Sequence, residues 1–96
     1  MSVNGFIKAS IKVTGIVQGV GFRFYVERMA EILNITGWVK NEWDGSVFVL
    51  AVGTEESVRD FIITLEKGPT FSRVDNVEVK IENVDFNDYP DFKVKF

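Results

Sequence analysis

Arg23 stands two residues after Gly21 and four after Gly19, in the run Gly15-Ile16-Val17-Gln18-Gly19-Val20-Gly21-Phe22-Arg23. Glycines at 19 and 21 permit backbone angles and close approaches that a side chain would block. Where such a run leads from a strand into a helix, free backbone N–H groups collect at the positive end of the helix and can hold an anion. A guanidinium in the first turn adds a planar fork matched to two phosphate oxygens. The chemistry these residues suggest is a phosphate cradle. Two better-known cradles are excluded by spacing. Position 24 is Phe, where a dinucleotide fingerprint needs Gly or Ala, and no Gly-Lys-Ser/Thr follows as in a nucleotide P-loop. The bland alternative is a plain strand-to-helix turn with a solvated arginine.

Asn41 is the second candidate, in Gly37-Trp38-Val39-Lys40-Asn41-Glu42-Trp43-Asp44-Gly45. An Asn beside a hairpin often serves the turn itself. Here Asp44-Gly45 already meets the turn's demands, which leaves Asn41 for other work. Its amide can both accept from and donate to a water, and so fix that water for attack on phosphorus.

These residues need elements to bring them together. Residues 7–14 alternate apolar and polar as a half-buried strand, and Phe22, Val26, Met29, Ala30 and Leu33 recur at helical spacing over 22–33. Thr36–Glu42 reads as a second strand and Val47–Val52 as a third, joined through the Asp44-Gly45 turn. Thr54 caps a second helix with acids in its first turn, Val58, Phe61, Ile62 and Leu65 form its apolar stripe, and Gly68-Pro69 ends it. A fourth strand alternates through Val77, Val79 and Ile81, and Phe92–Phe96 can add a short fifth. The order β-α-β-β-α-β predicts an α+β, ferredoxin-like split βαβ fold: an antiparallel sheet with two helices on one face. In that topology strands one and two run parallel, so their C-terminal ends share one edge, with Arg23 and Asn41 on it.

Composition removes whole classes of mechanism. The 96 residues include neither Cys nor His, so disulfides, thiolate or imidazole metal sites and Ser-His or Cys-His nucleophiles are ruled out. The formal charge of −3 argues against a general nucleic-acid binder. The opening residues are short and polar, and no apolar stretch reaches membrane-spanning length, so a cytoplasmic protein without membrane contact is expected.

The motif Val17-Gln18-Gly19-Val20-Gly21-Phe22-Arg23, together with Gly37-x-Val39-x-Asn41-x-x-Asp44-Gly45, resembles the acylphosphatase family. Gly68-Pro69 followed by Ser72-Arg73-Val74 is similar to the family's later portion, so the likeness runs from about residue 7 to the end. The resemblance implies one domain over 1–96, with 1–5 a flexible lead-in. It implies that Arg23 binds the phosphoryl group with the backbone amides of Gln18, Gly19, Val20, Gly21 and Phe22, and that Asn41 orients the nucleophilic water. It further implies small-molecule acyl phosphates as substrates, no metal, no cofactor and no phosphoenzyme. The inventory of residues suits that chemistry. The leaving carboxylate, whose acid has a pKa of about 4, departs as an anion without a general acid. With no His present, the expectation is that the substrate phosphate takes the water's proton or that the proton is lost late. The competing reading is a non-catalytic domain of the same fold that binds a small ligand or phosphate for regulation.

Two departures carry expectations of their own. The third strand, Val47–Val52, is apolar on both faces, where the family commonly places acids near Phe48 and Val52. It is expected to leave an exposed patch and to give a monomer with weak self-association. Trp43 is expected to pack against Trp38 or the loop rather than to select substrates.

Overall fold

A computed structural model describes residues 5–96, so the flexible lead-in expected over 1–5 lies, apart from Gly5, outside the described residues. Strand β1 (Phe6–Ile16) buries Ile7, Ala9, Ile11 and Val13 on one face. Lys8, Ser10 and Lys12 occupy the other, as period-two alternation requires. It pairs antiparallel with β3 (Val47–Gly53) on one side and β4 (Arg73–Val84) on the other. A register shift between Thr14 and Gly15 lets β1 run on to Ile16, two residues past the expected end, still paired with β4.

Helix α1 (Phe22–Ile32) buries Phe22, Val26 and Ala30, and helix α2 (Glu55–Lys67) buries Val58, Phe61 and Leu65. Both stripes join one core with the apolar faces of the strands. Each fully buried Phe, Leu or Val contributes about 1.5–3 kcal/mol relative to exposure. Thr54 caps α2 as expected, its hydroxyl accepting from the Ser57 N–H at 3.2 Å. Gly68 ends the helix at a φ of 67°.

Strand β2 (Thr36–Asn41) pairs antiparallel with β3. Beyond it lies β5 (Phe92–Lys95), giving the order β4-β1-β3-β2-β5. The fifth strand runs parallel to β2, with Gly37 opposite Phe92 and Lys40 opposite Lys95. The sheet is therefore mixed rather than wholly antiparallel. The chain leaves β4 at one edge and crosses to the other, which sets the direction in which β5 arrives.

Leu50 and Val52 point away from the helices, yet they are only 8% and 2% exposed. The expected apolar patch on β3 is thus covered. By register Leu50 lies between Ser10 and Trp38, and Val52 between Lys8 and Thr36. The Trp38 and Phe48 rings meet at 5.5 Å, and the Lys95 ammonium sits 4.3 Å from the Trp38 ring centre. From the far edge Asn87 donates to the Thr36 hydroxyl at 2.6 Å, drawing the β4–β5 connection against the sheet. Alternation also places Lys8, Lys12, Lys40, Lys80, Lys93 and Lys95 on this open face.

Candidate active site

The turn from β1 into α1 passes through Gly19 at a φ of 74° and Gly21 at 77°, left-handed angles that glycine adopts without penalty. Apart from its chain neighbours, no atom of the described residues lies within 4 Å of where a Cβ would stand on either glycine. Gly21 is the N-cap of α1, no side chain caps the helix, and its first turn holds no acid. The first helical bond runs from the Tyr25 N–H to the Gly21 carbonyl at 3.0 Å. The amides of Phe22, Arg23 and Phe24 therefore have no acceptor within the helix.

Arg23 is half-buried in that first turn. Its Nη1 donates to the Lys95 carbonyl at 3.4 Å, a long and weak bond, and its guanidinium lies 4.8 Å from the Phe96 ring centre. Among the described residues no carboxylate comes within ion-pair distance of it. Glu27, one turn along the helix, leaves it unneutralised. The charge is available to a ligand.

Asn41 closes β2, and its side-chain carbonyl oxygen is buried with no donor among the described residues. Arg23, Asn41, Gly19, Gly21 and Phe22 line one cavity of about 600 Å³, with Val17 also on its wall. Of the expected amide donors, Gln18 and Val20 are not on the cavity wall. Its remaining boundary is Phe24 and Glu27 from α1 with Lys93 and Val94 from β5 and Phe96 just after it.

Gln18 has a contact that its place in the motif does not announce. Its Nε2 donates to both the Glu42 and the Ser46 carbonyls at 2.8 Å, tying the loop to the β2–β3 hairpin next to Asn41. Asp44 holds that hairpin from within. It accepts from the Ser46 N–H at 3.0 Å, from the Ser46 hydroxyl and from the Lys12 ammonium at 2.9 Å. These bonds keep its carboxyl well below the usual carboxylate range, Ser46 first and Lys12 second. The same carboxylate raises Lys12. Trp43, by contrast, is fully exposed and packs against neither Trp38 nor the cavity. With Asp44-Gly45 making the turn, position 43 projects from the hairpin tip.

The acylphosphatase family profile matches residues 9–94, a span that takes in the loop, Asn41 and all but the last residue of β5. The chain belongs to the acylphosphatase family. It is 45% identical over 86 residues to an acylphosphatase of Thermotoga petrophila, covering 90% of this chain and 93% of that relative. An acylphosphatase of Koribacter versatilis is 56% identical over 68 residues, covering 71% of this chain and 62% of that one. Among solved structures, the acylphosphatase from Bacillus subtilis superposes with a TM-score of 0.89 at 34% identity, covering 94% of this chain and 99% of that one. As an acylphosphatase-family chain, it combines on one wall a glycine-shaped loop with an arginine and an amide oxygen that have, respectively, no carboxylate and no donor among the described residues. Among the described residues no helix is long and apolar enough to cross a membrane.

Proposed function

We propose that this chain hydrolyses the carboxyl–phosphate bond of acyl phosphates to a carboxylate and inorganic phosphate, with Arg23 and Asn41 as its catalytic residues. The observation that carries this reading is the meeting of the uncapped start of α1, the unneutralised Arg23 and the unbonded Asn41 oxygen on one cavity. The loop amides and Arg23 hold the phosphoryl oxygens, where charge builds in the transition state. Asn41 accepts a hydrogen bond from a water and aims its lone pair at phosphorus. The water oxygen bonds to phosphorus as the phosphorus–acyl oxygen bond breaks. The electron pair leaves with the carboxylate, and the water's proton passes to a phosphoryl oxygen. No enzyme base, metal or cofactor enters this sequence.

The test is hydrolysis of benzoyl phosphate in the presence of EDTA. Wild type should turn over at full rate, and Arg23→Ala should lower kcat/KM by about 10²–10³, the effect of removing one oxyanion donor. Arg23→Lys should recover little, because an ammonium lacks the planar fork. A folded wild type without turnover would instead support a phosphate-binding regulatory domain.

A further inference from the structure

A phosphoryl group occupies only part of a cavity of about 600 Å³, a size typical of sites that enclose a whole small ligand. The remainder must receive what is attached to the phosphate. Its walls there are Phe24 on α1, Val94 on β5 and Phe96 just after that strand. Phe24 is 66% and Phe96 97% exposed, two large rings held open to solvent beside Arg23. Such rings are common singly, but two bordering one cavity offer apolar area that a ligand can cover. The charged residues of this region are Glu27 and Lys93, one of each sign. A second anionic group on the ligand would meet repulsion from Glu27, while alternation turns the Lys93 side chain to the other face of the sheet, so the pair gives no preference for it.

We propose that this site selects acyl phosphates whose acyl group is uncharged and apolar, aliphatic chains of about four carbons or more and aromatic rings, with Phe24 and Phe96 as the specificity walls. This rests on the reading that Arg23 and the loop hold the phosphoryl end. The two can be tested apart. Acetyl, butyryl and hexanoyl phosphate release carboxylates of similar basicity, so differences in kcat/KM along the series report the acyl pocket rather than the leaving group. The expected result is a rise of roughly tenfold or more from acetyl to hexanoyl phosphate, with succinyl phosphate below butyryl. Phe24→Ala should compress the hexanoyl-to-acetyl ratio by about tenfold, and Phe24→Leu should restore most of it. Phe24 is mostly outside the core, and circular dichroism checks that the variants fold.

A flat series overturns the proposal. So does a preference for succinyl phosphate that disappears in Lys93→Ala. The stable methyl, butyl, hexyl and benzyl phosphonates, measured by calorimetry, read the same pocket without chemistry. If no acyl phosphate is hydrolysed, the proposed function fails. Tighter binding of the longer phosphonates would still support the apolar pocket, and equal binding would overturn it.

Discussion

Asn41 carries a buried carbonyl oxygen that no described residue satisfies, and an orphan of that kind costs about 1–3 kcal/mol. Nothing in the packing of β2 requires it. If the oxygen is kept for the attacking water, Asn41→Ala should lower kcat by about 10²–10³ and leave the melting temperature unchanged or higher. The inhibition constant for inorganic phosphate should stay near wild type, since Arg23 remains. Gln18, which fastens the loop to the carbonyls of Glu42 and Ser46, acts through Asn41 on this view. Gln18→Ala should therefore cost roughly tenfold in kcat in the wild-type background and almost nothing beside Asn41→Ala; additive losses would deny the coupling. Arg23 and Asn41 were legible because their types and spacing imply a chemistry. The Gln18 side chain was not, since its two acceptors are backbone carbonyls 24 and 28 residues away, and such groups leave no mark in a sequence. Phe24 and Phe96 were missed for a related reason: an exposed ring looks the same whether or not a cavity adjoins it.

The β2–β3 hairpin sets where Asn41 stands, and Asp44 holds the hairpin. Its carboxyl is depressed in the fold, so its contribution is fully present above the unfolded pKa of about 3.9 and is lost as pH falls toward the lower folded value. Urea midpoints for wild type and Asp44→Asn should differ by a constant amount from pH 5 to 8 and converge below about pH 4. Convergence at neutral pH would mean that Ser46 and Lys12 do not fix this turn. At this scale most of the fold was open to a reader of the sequence. Alternation marked β1, helical stripes marked α1 and α2, and Thr54 and Gly68-Pro69 bounded α2. The direction of β5 was not, because four residues carry a period but no orientation. The extension of β1 depends on a bulge whose cause, the partner strand's register, lies some sixty residues downstream.

Over the whole molecule, the sheet's uncovered face decides both association and approach. Sequence alone suggested an apolar β3 open to solvent; its side chains are instead enclosed by Trp38, by residues of β1 and β2 and by the β4–β5 connection. That enclosure needs all three neighbouring segments at once, which no local pattern conveys. With Leu50 and Val52 covered, sedimentation should find a monomer into the hundred-micromolar range, whereas a dimer would point to a surface other than this strand. The lysines ranked along the same face have an effect of another kind. The molecule is a net anion of −3 that we expect to capture an anion, so its total charge and its local field pull in opposite directions. Lys8 and Lys12 are engaged by Glu82 and Asp44, whereas Lys40 and Lys93 on that face and Arg23 on the cavity wall have no carboxylate within ion-pair distance among the described residues. If the local field steers the encounter, added salt should slow capture: kcat/KM should fall as the screening length shrinks from about 10 Å at 0.1 M to about 3 Å at 1 M. If the net charge governs, salt should speed it. The sign of that slope tells whether an incoming phosphate senses the protein as a whole or only the edge of its sheet.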